Sequence, residues 1–204
     1  MVYLSKGVPV SDEAVPPAVR LVRDFVNTYE PQVDEESLTT PDRLRDWFAE
    51  RQLIPTDTRL GPADLALAVT IREGLRAVLL GHAGHRADPT AVARLDEALA
   101  AVPVRVTLAG GGPHLHAADD TAAARALAQV VDAIRQCAQD QTWARLKVCD
   151  RDTCRWAYYD ASRNQARRWC SMAGCGNYVK MRRAYAARSD RRRQAPTDGP
   201  APAN

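Results

Sequence analysis

Four cysteines, Cys149, Cys154, Cys170 and Cys175, follow the spacing C-x4-C, fifteen residues, C-x4-C. Two close pairs let four thiolates converge on one ion. Zinc is the usual occupant of such a shell, and a four-sulfur shell leaves no open position for chemistry. An iron–sulfur cluster uses the same donors, but this spacing is not that of ferredoxins. Cys137, the fifth cysteine, sits in an apolar helical stretch and reads as a small buried hydrophobe. Grouped cysteines of this kind point to metal in a reducing, cytoplasmic setting rather than to disulfides.

The residues around the cluster are basic and aromatic. From Gln141 to Arg193 there are 14 Lys+Arg and 4 Asp+Glu, a balance of +10; the rest of the chain holds 14 against 21, a balance of −7. A compact basic module beside an acidic body is a charge footprint that seeks phosphate. Arg163, Arg167 and Arg168 fall at i, i+4 and i+5, so Arg163 and Arg167 would share a face if that stretch formed a helix. Gly176 to Arg188 reads as a helix whose Tyr178, Met181 and Tyr185 fall on one stripe and are expected to dock on the metal core. Lys180 and Arg183 then face outward, flanked by Arg182 and Arg188, with Arg191 to Arg193 beyond. Trp156 and Trp169 are natural packing partners over the metal.

Elements that position these residues are legible from caps and periodicity. The expected fold class is mainly α with a short β-hairpin (α+β): a helical N-terminal domain over 1–140, a four-cysteine zinc finger over 141–193, and a disordered tail over 194–204. Residues 14–28 read as a first helix. Thr40-Pro41, Pro62 and Asp88-Pro89 open three more, ending near Gly81 and Gly84 for the third and Ala101 for the fourth. Val104, Val106 and Leu108 alternate with Arg105 and Thr107, the pattern of a half-buried strand, and His114 to His116 is the returning strand. Asp119 to Thr121 caps a fifth helix reaching Gln139. Short strands are expected at Arg145–Val148 and around Trp156–Tyr159. No run of about 18 apolar residues marks a membrane span, and Met1 to Val10 lacks the pattern of a secretory signal.

Other functions have weaker support. The only histidines, His82, His85, His114 and His116, could be assembled into a metal or haem site of an enzyme or small-molecule binder centred on the N-terminal domain, but they read as surface or loop residues. Phosphate loops, dinucleotide fingerprints and nucleophile elbows are lacking. Asp24 and Asn27, with Asp46 and Trp47, could line an effector pocket; capping and inter-helix hydrogen bonds explain them equally. A redox-sensing zinc–thiolate protein is a third class, compatible with nucleic-acid binding.

At the motif level the chain resembles a known family. Arg168-Trp169-Cys170-Ser171-Met172, Cys175-Gly176-Asn177 and the basic helix that follows look like the CGNR zinc finger, as do Cys149-x4-Cys154 and Asp160 to Asn164. Asp24 to Thr28 and Leu38 to Trp47 are similar to the ABATE domain, which precedes this finger in bacterial, largely actinobacterial, proteins. The resemblance implies a stress-related transcription regulator, not an enzyme. One structural zinc would be held by Cys149, Cys154, Cys170 and Cys175, and DNA would be contacted by Arg163, Arg167, Arg168, Lys180, Arg182, Arg183 and Arg188. It also implies that the N-terminal domain senses a small-molecule effector or forms a homodimer, with Asp24, Asn27 and Trp47 as effector candidates. Tyr178 stands where the motif has its final arginine.

Overall fold

A computed structural model describes residues 15–108 and 112–194. The expected signal-free start, the 194–204 tail beyond Gln194 and part of the glycine turn after Leu108 lie outside the described residues. Helix α1 (Pro17–Val26) leads through the two-residue strands β1 (Tyr29–Glu30) and β2 (Glu35–Glu36) to α2 (Pro41–Glu50), α3 (Pro62–His82) and α4 (Pro89–Ala100). A hairpin, β3 (Val104–Thr107) and β4 (His114–Ala117), precedes α5 (Ala122–Gln139). A second hairpin, β5 (Leu146–Val148) and β6 (Ala157–Tyr159), leads to the basic helix α6 (Asn177–Gln194). The fold is mainly helical with small two-stranded sheets, as expected.

Local chemistry explains most boundaries. The Thr40 hydroxyl accepts from the Arg43 N–H at 3.2 Å, the Asp88 carboxylate from the Thr90 N–H at 2.9 Å, and the Thr121 hydroxyl from the Ala124 N–H at 3.3 Å. Each satisfies a backbone donor that the first helical turn leaves orphaned, and proline occupies the first turn of α1, α2, α3 and α4. Helix α3 runs through Gly81 and ends before Gly84, whose φ of +86° suits only glycine well.

One hydrophobic core serves both expected modules. Val19, Val22, Phe25 and Val26 of α1 meet Leu44 and Phe48 of α2, Ile71, Leu75 and Leu79 of α3, and Leu127 and Val130 of α5. Leu146 and Val148 of β5 and Ala157 of β6 are fully buried in the same cluster. Full burial of each large aliphatic side chain contributes roughly 1.5–3 kcal/mol. The β5–β6 hairpin of the finger is therefore held by the helical core, chiefly against α3 and α1.

The β3–β4 hairpin departs from expectation. Its register pairs Val104 with Ala117 and Val106 with Leu115, but Val104, Val106 and Leu108 are 36%, 62% and 76% exposed. The alternation is real, yet the strand is not half-buried. Strand β4 packs on α5, whereas β3 is the outer strand and overhangs it.

Asp132 of α5 anchors that hairpin. Its carboxylate accepts from the Leu115 N–H at 2.9 Å, from Arg135 at 2.7 Å and from Gln136 at 2.8 Å. Burial alone would raise its pKa, but these donors outweigh burial and pull it down to about 2. A depressed carboxylate stabilises the fold fully above its unfolded value of about 3.9, and the contribution is lost as pH falls through the folded value. Protection of the Leu115 amide from hydrogen exchange is expected to weaken between about pH 4 and pH 2. In Asp132→Asn the acid step at this amide should vanish; an unchanged step would assign it elsewhere.

Candidate metal centre and basic helix

The finger begins where β5 ends. Cys149 follows Val148 directly, and its N–H donates to Trp156 O at 2.9 Å, extending the hairpin by one rung. Cys154 lies in the tight turn between the strands. Cys170 follows the loop after β6, and Cys175 sits in a single π-type turn, Met172–Gly176, capped by the Ser171 hydroxyl, which accepts from Gly174 N–H at 3.1 Å. The turn is cramped: a Cβ on Gly176 would lie 3.1 Å from Met172 Sδ and 3.5 Å from Trp169. Trp156 and Trp169 pack against the cysteines.

All four Sγ atoms lie within 4.8 Å of one another, with Cys154–Cys170 and Cys170–Cys175 at 3.8 Å. A tetrahedron with zinc–sulfur bonds of about 2.3 Å has edges of about 3.8 Å, so the donor set fits the ion in number, chemistry and spacing. Crowding makes the thiols unequal. Contact with Cys149 pushes Cys154 and Cys170 above the ordinary thiol range and pulls Cys175 below it, while contact with Cys154 lowers Cys149. Four thiolates this close require a cation to ionise together. The cluster is a structural site for one zinc, held by Cys149, Cys154, Cys170 and Cys175. Among the described residues no other group of three or more His, Cys, Asp or Glu could hold an ion.

The histidines are dispersed. His82 is a core connector: its Nδ1 lies 2.9 Å from Leu146 O, its ring meets Trp143 edge-on at 5.1 Å, and burial lowers its pKa. His85 pairs with Asp150 beside the metal site, His114 lies 3.7 Å from Asp132, and His116 is exposed.

Residues 160–168 form a loop, not the helix that would have aligned Arg163 with Arg167. Asp160, fully buried, explains it. Its carboxylate accepts from Lys147 Nζ at 2.9 Å, from the Ser162 N–H and hydroxyl at 3.1 and 2.5 Å, and from the Arg167 N–H at 3.0 Å. Such side-chain capture of local backbone donors competes directly with helix formation. Arg167 turns inward, donating to Trp169 O at 2.8 Å and to Cys170 O, over the Tyr158 ring. Arg168 pairs with Asp150 at 2.5 Å. Arg163 alone of the three is exposed without a described partner.

Helix α6 leaves the metal site into solvent. Tyr178, Met181 and Tyr185 do not dock on the metal core: they are 39%, 70% and 78% exposed. The core between the cysteines is already closed by Trp156 and Trp169, so no apolar surface remains for the stripe. Tyr178 instead carries Arg151 over its ring at 3.7 Å and Arg182 at 5.9 Å. The helix holds seven Lys+Arg against the single Asp190. Lys180, Arg182, Arg183 and Arg188 are all exposed, and no carboxylate pairs with them among the described residues.

Two residues, neither singled out for this role by sequence, tie the finger to the helical domain. Asn27, just past α1, donates to Ala157 O at 2.9 Å and accepts from Ala157 N–H at 2.7 Å, as a neighbouring strand would. Arg76 of α3 donates to Arg155 O at 2.9 Å, Val26 O at 2.6 Å and Tyr29 O at 3.0 Å, so one guanidinium joins the finger to the end of α1. The three effector candidates are engaged separately. Asn27 spends both its polar atoms on Ala157, Trp47 is in the core 5.4 Å from Phe25, and Asp24 pairs with Arg23 at 2.8 Å.

A family model named ABATE, described as "Putative stress-induced transcription regulator", matches residues 19–145. The chain belongs to the ABATE family. The CGNR zinc finger follows at residues 145–188, so the two matches meet where the helical core passes into β5. No curated protein matches the chain. Family membership and the sulfur cluster together make this a zinc-binding regulatory protein.

Metal removal is expected to act locally. Because β5 and β6 are buried in the helical core, chelation should melt the segment after Cys149 while the Leu146 and Val148 amides stay protected from exchange. Metal analysis should give one zinc per chain, reduced by Cys154→Ser. Loss of protection at Leu146 together with the whole core would show that the metal, not the core, holds the hairpin. Arg76→Met should cost about 3 kcal/mol, since it strips one buried and two part-buried carbonyls of their donor. A denaturation midpoint equal to wild type would remove Arg76 from this role.

Proposed function

We propose that the protein regulates transcription by binding DNA through α6, with the exposed Arg163 loop as a second phosphate contact, and that the helical domain adjusts this binding by sensing an effector or by dimerising. One observation carries the reading: α6 is rooted at a metal-ligating turn, exposed along nearly its whole length, and loaded with cations that no carboxylate among the described residues neutralises. A helix of about 10–12 Å diameter fits the major groove of B-DNA, which is about 12 Å wide. Lys180, Arg182, Arg183 and Arg188 supply the positive surface. Arg167 and Arg168 are engaged within the finger and serve the reading only by shaping the loop that presents Arg163.

The family's type supports a regulator rather than an enzyme, as does a metal whose four positions are all filled by sulfur. No helix among the described residues is long and apolar enough to cross a membrane. Cysteine usage supports a cytoplasmic location. Zinc thiolates are open to oxidation, and peroxide-driven zinc release would make the same finger a redox sensor.

Fluorescence anisotropy with duplex DNA at several salt concentrations tests the reading. Affinity is expected to fall steeply with salt, and each lost phosphate contact should reduce the slope by about one. Lys180→Ala with Arg183→Ala should therefore lower the slope by about two while zinc content stays at wild type. Equal affinity and slope in the double variant would take α6 out of the proposal.

A further inference from the structure

We propose that the cleft between α1, α5 and the β3–β4 hairpin binds a small organic anion with an apolar body, and that α1 transmits its occupancy to the finger. The cleft has a volume of about 500 Å³, within the range of small-molecule sites. Leu21 of α1, Leu53 and Leu115 of β4 give it an apolar wall, with Ala18 and Ala128 leaving space.

Its polar groups set the sign of the ligand. Asp132 lies in the wall but is already satisfied by Arg135, Gln136 and the Leu115 N–H. Among the described residues Arg105 has no carboxylate partner, and the Arg125 guanidinium donates to the Asp120 backbone carbonyl at 2.5 Å rather than to a carboxylate. Against these two cations stands the Asp120 carboxylate; His114 and His116 add two imidazoles and Gln129 an amide. The unspent charge is positive, on two guanidiniums suited to a carboxylate or sulfonate. An apolar wall beside that charge selects an amphipathic anion over a bare inorganic one.

The link to the finger is α1 itself. Pro17, Ala18 and Leu21 line the cleft near one end of this helix, and Asn27 grips the β6 backbone just past the other. Ten helical residues span about 15 Å. Arg76 fixes the same end of α1 to Arg155 of the finger. Movement of α1 on filling the cleft is thus delivered to β6, the strand between the second and third cysteines of the metal site. By linkage, a ligand that changes DNA affinity must have its own affinity changed by DNA by the same factor.

The test uses the full-length, zinc-loaded chain and three probe anions, octanoate, octanesulfonate and benzoate, with 1-octanol as the neutral control. Calorimetry should show saturable binding of at least one anion and weaker binding of 1-octanol. Arg105→Gln with Arg125→Gln, both at exposed positions, should weaken the anion about tenfold, the scale of lost charge-assisted hydrogen bonds, and leave 1-octanol unchanged. Leu21→Trp should reduce binding of both. Absence of saturable binding by all three anions, or binding indifferent to both substitutions, overturns the site. The transmission step rests on the DNA-binding reading and is measured separately, as a shift in anisotropy-derived DNA affinity with saturating anion. An anion that binds but leaves DNA affinity unmoved overturns the relay alone. An anion that binds while the chain shows no DNA affinity leaves the site standing and sinks the DNA reading.

Discussion

The convergence of four sulfur atoms within 4.8 Å is the constraint on which the C-terminal part of the molecule depends. After β6 the chain has little apolar surface left to bury. Beyond the cysteines themselves, Trp156 and Trp169 are the hydrophobic side chains packed at the cluster, and α6 is exposed along nearly its whole length. Zinc ligation supplies folding energy on the order of 10 kcal/mol in such small modules, which is what a missing core would otherwise provide. The sites at Cys170 and Cys175 then fix the direction in which α6 leaves. Without the ion the helix has no packing partner to orient it.

The opposite end of the finger obeys a different rule. Strand β5 is buried at every residue, and even Lys147 is enclosed, its ammonium held by Asp160 and Gln165 O. Here the hairpin is a piece of the helical core that happens to lead into a metal site. Asn27 and Arg76 saturate backbone groups that the short two-stranded sheet leaves free, which is why both side chains sit at the joint rather than on a surface. A buried cation such as Arg76 is tolerated because three carbonyls and Glu73 surround it; remove one partner set and the rest are left unsatisfied.

What the sequence made legible is what is decided locally. Caps at Thr40, Asp88 and Thr121, prolines in first turns and the cysteine spacing each depend on a few adjacent residues, and each stands where it was expected. The misreadings all involve a choice that only tertiary contacts make. Arg163 and Arg167 have helical spacing, but Asp160, buried against Lys147, captures the Ser162 and Arg167 N–H groups. Tyr178, Met181 and Tyr185 form a true stripe, but nothing lies opposite it. Val104, Val106 and Leu108 alternate correctly, but an outer strand has no layer over it. Periodicity reports which side chains share a face; it is silent on whether that face meets a neighbour. Asn27 was legible as a polar residue at a helix end, and nothing nearby in sequence names Ala157, 130 residues on, as its partner.

The exposure of α6 has an energetic consequence of its own. Lys180, Arg183 and the arginines beyond them recur at helical spacings, where like charges destabilise an isolated helix by a few tenths of a kcal/mol per pair. No acidic residue precedes Asp190 in this helix to relieve them. A helix with neither packing nor charge compensation is marginal alone, however firmly its first turn is rooted at Cys175. Phosphates along a duplex remove that repulsion. On the proposed function the same cations that weaken the free helix stabilise the bound one, so ordering of α6 away from the zinc is coupled to the polyanion. On that proposal the metal sets where the helix starts, and the nucleic acid would complete it.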